Sequence, residues 1–217
     1  MDYVSTLKSS LSREEFANAV THGLGVLLCL AGIPLLLQEA GSTSAWSQQL
    51  GLCVFCTSLF MVYFSSTIYH GLSAERQKRL WHRIDHMSIY FLIGGTHTPF
   101  LLYYAEAEQA RFFLWLIWGL VGLGVLYKLF FFGRYEWLSV LYYVILGWMA
   151  LFTIPVMISG MSEEILFWII AGGLSYTFGV IFFLWEKLPY HHAIWHLFVL
   201  GGSGAHFAAM YLTLAGA

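Results

Sequence analysis

The chain has 217 residues, 59% of them hydrophobic and 18% aromatic, with only 10% charged and a formal net charge of −2. A soluble domain usually carries roughly 25% charged residues, so this composition excludes a soluble globular enzyme, and ten scattered Lys and Arg leave no basic patch for nucleic acid. Nine Trp, thirteen Tyr and a mean hydropathy of +0.71 exclude a disordered or collagen-like chain, leaving an integral membrane protein.

A bilayer core about 30 Å thick asks for about 20 apolar residues per helix. Seven such runs occur in chain order, at about 19–37, 50–69, 87–104, 112–132, 137–158, 165–185 and 193–214. They predict an all-α, seven-transmembrane helix bundle forming one membrane domain over residues 1–217. Of these runs only the fourth contains Asp, Glu, Lys or Arg; its Lys128 has a stem long enough to carry the ammonium to the headgroups. With alternating spans, Lys8, Arg13, Arg76, Lys78, Arg79, Arg83, Lys128, Arg134 and Lys187 share the side of the N-terminus, and Arg111 alone faces the other. That bias predicts a cytoplasmic N-terminus and a C-terminus outside. The first twelve residues hold no apolar stretch of a secretory signal, so the mature chain is expected to start near Met1.

Within the runs, Cys29, Cys53 and Cys56 read as small buried hydrophobes rather than a disulfide framework. Gly119 to Gly124 and Gly201 to Gly204 read as close helix packing. Trp81, Trp137 and Trp185 at run ends read as an interfacial aromatic belt.

Ionisable groups in or beside a span are costly, so each is a functional candidate when a partner can be named. His70 closes the second run, Asp85 precedes the third, and His192 and His196 open the seventh; alternation places all four at one depth, on the cytoplasmic side. The four-residue spacing of His192 and His196 puts both rings on one helix face. With His70 they make three imidazoles, leaving a position for water as in a catalytic zinc site. Asp85 is then either a direct fourth ligand or a base hydrogen-bonded to that water. Ser66, one turn before His70, donates either to a substrate carbonyl or water, or to its own helix backbone.

Nearer the N-terminus, Ser12-x-x-Glu15 has the form of a capping box. Glu15, Asn18 and His22 also share a helix face that enters span one on the side of the site, where they would form a supporting polar layer. His82, His86 and His191 read as solvated histidines of the headgroup zone, and the deeper His97 and His206 as neutral imidazoles bonded to a neighbouring helix.

These residues, in this order, resemble the progestin and adiponectin receptor family, and at this length its bacterial hemolysin III branch. Glu15 to His22 resembles the family's Glu-x2-Asn-x3-His motif, Ser66 to His70 its Ser-x3-His motif, Arg83-Ile84-Asp85 its acidic motif, and His192 to His196 its closing His-x3-His. The resemblance implies Zn2+ held by His70, His192 and His196, with Asp85 reaching the metal through a water and Ser66 close by. It implies residence in a bacterial inner membrane. Because alkaline ceramidases share the architecture, it also implies hydrolysis of a lipid amide or ester.

The expected function is therefore a zinc-dependent intramembrane lipid hydrolase. Asp85 and Ser66 are its catalytic residues, as proton acceptor and oxyanion donor, and a membrane lipid is its partner in an apolar, aromatic cavity. The alternatives are a membrane-homeostasis sensor with structural zinc and a pore-forming cytolysin. The last has poor support, since the outer half of the bundle carries no ring of charged groups.

Overall fold

The computed structural model describes residues 3–41 and 45–216, with side chains described from residue 13 onward. Among the described residues the chain is entirely helical. Its elements are α1 (Tyr3–Ala40), α2 (Trp46–Gly71), α3 (Glu75–Tyr104), α4 (Ala107–Phe131), α5 (Glu136–Gly147), α6 (Ala150–Met157) with a 3-10 turn (Ile158–Gly160), α7 (Glu163–Leu184) and α8 (His191–Ala215). Six segments are long and apolar enough to cross a membrane: α1 from Arg13, α2, α4, the α5–α6 pair with its turn, α7 and α8. The 30-residue α3 falls outside that set. Its first turns carry Glu75, Arg76, Lys78 and Arg79, and Thr96, His97, Thr98 and Pro99 dilute its apolar half.

Neighbours in the chain are mostly neighbours in space. α3 packs between α2 and α4, α2 against α1, α1 against α8 and α8 against α7; the α5–α6 pair completes the ring beside α3 and touches α7 only sparsely. Around a buried apolar core the surface is also apolar, unlike that of a soluble protein. Leu27, Trp115 and Phe130 are 64%, 81% and 74% exposed, whereas Asn18, Ser58, Ser66, Thr98 and Thr153 are buried. A bundle that exposes large apolar side chains and buries hydroxyls is built for an apolar solvent. The protein is a multi-pass membrane protein. Several buried hydroxyls are satisfied locally: Thr98 Oγ1 donates to Gly94 O at 2.7 Å and Thr213 Oγ1 to Ala209 O at 2.8 Å, the bond each finds in its own helix.

Several expectations need correction. The fifth apolar run is two helices, because the ladder breaks at Gly147–Met149: Met149 N bonds Leu146 O at 3.2 Å and Leu151 N bonds Trp148 O at 3.0 Å, three residues back instead of four. α1 is already helical from Tyr3, so Ser12 does not stand at a helix start; its side chain lies outside the described residues. Cys29 and Cys56 are buried, but Cys53 is exposed on the bundle surface. The glycine stretches divide. A Cβ on Gly124 would strike the Tyr90 ring and one on Gly202 would lie 2.8 Å from the Tyr176 ring, while Gly119, Gly122 and Gly204 have nothing within 4 Å.

Lys128 does not reach outward. It is 1% exposed and its Nζ donates to Glu136 at the start of α5, over the Phe132 ring. Burying the stem and head together is tolerable only because that carboxylate is within reach.

Candidate metal centre

His70 lies in the last turn of α2, and His192 and His196 lie in the first two turns of α8. The short Leu72–Ala74 connection turns the chain back into α3, and Asp85, ten residues into that helix, lies beside Ser66, one turn before His70. At the other seam, Tyr190 N donates to Glu14 Oε1 at 3.2 Å, tying the start of α8 to α1. One ring nitrogen from each of His70, His192 and His196 lies within 4.8 Å of the others. Their ring centroids are 5.1, 5.2 and 4.6 Å apart.

The rings are held from α1. Glu15 Oε2 sits 3.0 Å from His70 Nδ1 and also accepts from Lys78 Nζ at 2.8 Å. With Nδ1–H donating to the carboxylate, the lone pair is on His70 Nε2, and that atom is buried with no hydrogen-bond partner among the described residues. His196 Nδ1 is 3.2 Å from Asn18 O and 3.0 Å from Thr21 Oγ1, which likewise directs Nε2 away from α1. The His22 ring stacks on His196 at 3.4 Å and meets Tyr63 edge-on at 5.1 Å. Both His22 ring nitrogens and Asn18 Oδ1 are buried and unpartnered.

A buried imidazole nitrogen left without a partner costs free energy, so His70 Nε2 is the atom that tests whether a metal fits. It does fit. Three neutral imidazoles, two of them oriented by oxygen acceptors behind the ring, are donors suited to a divalent cation of intermediate softness such as Zn2+. The cluster could therefore hold a metal ion.

Asp85 and Ser66 are 8% and 1% exposed and line the cavity that His192 and His196 also line. Asp85 is not a member of the three-nitrogen group. Ser66 Oγ lies beside it and makes no bond to its own helix backbone, which removes one of the two roles the sequence left open. The cavity, about 450 Å³, runs inward among α3, the α5–α6 pair, α7 and α8, and its walls are mainly apolar with Phe100, Tyr143, Trp148 and Trp195 among them.

His82, His86 and His191 are not free in a headgroup layer. His82 Nε2 is 3.1 Å from His86 Nε2, His86 Nδ1 is 3.8 Å from the Glu136 carboxylate, and His191 Nδ1 is 3.2 Å from Phe182 O. Three residues escaped the sequence reading. Thr21 stands three residues after Asn18 and shares its face, a signal that was present; Lys78 and Glu14 act across helices that only the fold brings together.

The chain is 39% identical to "Hemolysin-3" of Bacillus cereus over 202 residues, covering 93% of this chain and 92% of that protein. It is also 39% identical to the "Hemolysin-3 homolog" of Bacillus subtilis (strain 168), over 90% of this chain and 92% of the relative. A human protein, "Monocyte to macrophage differentiation factor", is 29% identical over 91% of this chain and 83% of its own length. No solved structure matches it. The profile of the family described as "Haemolysin-III related" matches residues 11–207, a range that takes in every histidine of the cluster, and the chain belongs to that family within the progestin and adiponectin receptor superfamily.

Proposed function

We propose that this protein is a zinc-dependent intramembrane hydrolase of a lipid amide or ester. It would cross a bacterial inner membrane seven times, with α3 as the added span, its N-terminus cytoplasmic and its C-terminus outside. The observation that carries the reading is the unpartnered His70 Nε2, in a cluster with His192 and His196 at one polar end of a mainly apolar cavity. A zinc ion bound there would polarise a carbonyl and acidify water at neutral pH. Asp85, outside the histidine set but on the same cavity wall, is placed to take the proton of the attacking water and pass it to the leaving group. Ser66, whose hydroxyl lies beside Asp85, would donate to the oxygen that becomes negative. The aromatic walls would exclude bulk water and hold the acyl chain.

The sensor reading is favoured by one feature, that the three imidazoles and their supports join α1, α2 and α8, so a metal there would also clamp helices. The relatives' name suggests cytolysis, and conductance in reconstituted vesicles tests that separately. For hydrolysis the deciding experiment is metal analysis with product detection. The purified protein should carry about one Zn2+ per chain and release product from a panel of lipid amides and esters. Bound zinc without turnover on any of them would leave the sensor reading, and absence of metal from protein never exposed to chelator would sink both.

A further inference from the structure

The cavity has a second polar end. His97 of α3 and His206 of α8 line it away from the metal centre. Ten residues separate His206 from His196 and twelve separate His97 from Asp85, so at 1.5 Å per residue the two ends are roughly 15–18 Å apart. A wall meant only for hydrocarbon has no use for imidazoles, and burying them costs free energy unless their nitrogens are used.

One of the two rings is visibly half used. His206 Nε2 lies 3.1 Å from Ile169 O of α7, so it carries the hydrogen and donates. The ring rests on Gly172, where a Cβ would lie 2.5 Å from Nε2, and this fixes its orientation. Its Nδ1 is then an acceptor, buried and without a partner among the described residues, in a residue 7% exposed. His97 faces the backbone of Leu146 and Gly147 at the break between α5 and α6. There Leu151 N bonds Trp148 O, which takes Gly147 O out of the helical ladder and leaves it for an imidazole N–H. His97 therefore also keeps one nitrogen as an acceptor.

We infer that His97 and His206 form a specificity site for a hydroxyl carried far along the hydrocarbon chain of the lipid in this cavity, roughly 15–18 Å from the carbonyl that meets the metal centre. The inference rests on the reading of the cavity as a lipid site. The His206 Nδ1 acceptor, its ring held by a carbonyl behind it, calls for a donor. A chain hydroxyl supplies one; a ketone, an ester oxygen or a carboxylate does not.

The test is direct binding to the full-length, metal-loaded protein in detergent, read by the fluorescence of Trp148 and Trp195 on the cavity wall. Oleate and ricinoleate have the same chain and double bond, but ricinoleate adds one hydroxyl beyond the middle. Ricinoleate should bind about fivefold tighter, and the matching ketone should gain nothing over oleate. His97→Phe and His206→Phe should each bring the ratio of ricinoleate to oleate affinity toward one. Equal binding of oleate and ricinoleate by the parent protein overturns this inference alone, as does a preference that survives both substitutions. Binding of neither fatty acid overturns the lipid reading of the cavity and the inference with it. Should either variant fail to fold, the parent's ranking of hydroxyl, ketone and plain chain decides.

Discussion

His70 shows how one residue acquires a chemical role. Nothing intrinsic to a histidine at a helix end marks it as a ligand; Glu15, bonded at 3.0 Å, fixes which nitrogen holds the proton and leaves the other to face two more imidazoles. Removing that acceptor in Glu15→Ala should weaken metal affinity roughly 10- to 100-fold, the usual effect of losing a group behind a ligand histidine. Thr21→Val should do less, since Asn18 O still faces His196 Nδ1 at 3.2 Å. Competition with a calibrated chelator measures both, and an unchanged affinity in Glu15→Ala would show that the carboxylate serves Lys78 and not the site. Asp85 makes the second residue-level prediction. Asp85→Asn keeps the shape but removes the base, so zinc should stay while hydrolysis falls by about 10²-fold or more. His192→Ala should lose zinc and activity together. If Asp85→Asn loses zinc as completely as His192→Ala, Asp85 is itself a ligand and its proposed role is wrong.

At the scale of helices, contact distance is set by small residues at particular crossings, not by glycine content as such. Gly124 of α4 lies against the buried Tyr90 ring of α3, whereas Gly122, two residues earlier, faces open space. Gly124→Ala should therefore destabilise the protein by about 1–3 kcal/mol through overpacking. Gly122→Ala should be neutral or slightly stabilising, since alanine is the better helix former. Thermal unfolding of the two variants in one detergent checks the contrast, and equal midpoints would mean that α3 and α4 are free to move apart. The break between α5 and α6 is the other event at this scale. It interrupts a run that reads as one continuous span, and its carbonyls meet His97 on the cavity wall.

For the whole molecule, the ring of helices returns residues distant in sequence to one end of the bundle, His196 lying within hydrogen-bond reach of Asn18 and Thr21. With seven alternating spans nine of the ten basic residues would share the side proposed as cytoplasmic, so a reporter fused after Ala217 should lie outside the cytoplasm. A fused reporter that works only in the cytoplasm, and still gives signal there, would reverse the orientation and the leaflet from which a lipid reaches the site. If the metal clamps α1, α2 and α8 as the histidine contacts imply, chelation should lower the unfolding midpoint of the parent and leave His192→Ala unmoved. A parent midpoint indifferent to chelator would mean the helices pack without it.

The sequence by itself determined the helical class and membrane placement, because long apolar runs with few charges have one stable answer in a solvent that cannot hydrogen-bond backbone. It also determined which histidines converge, since alternating spans carry the end of one helix and the start of another to the same level. Only the tertiary structure decided what each atom meets there. Lys128 was legible as a charge near the end of a run, but its partner Glu136 is reached through a turn whose geometry no apolar pattern encodes. Ser66 could have bonded its own helix, but its hydroxyl lies instead beside Asp85 of the next helix. The break at Gly147–Met149 lies in a run of unbroken hydrophobicity, and it is visible only in which carbonyl each N–H selects. Hydropathy records how much of a segment prefers lipid; hydrogen-bond partners depend on side-chain direction and neighbouring helices, which follow from packing.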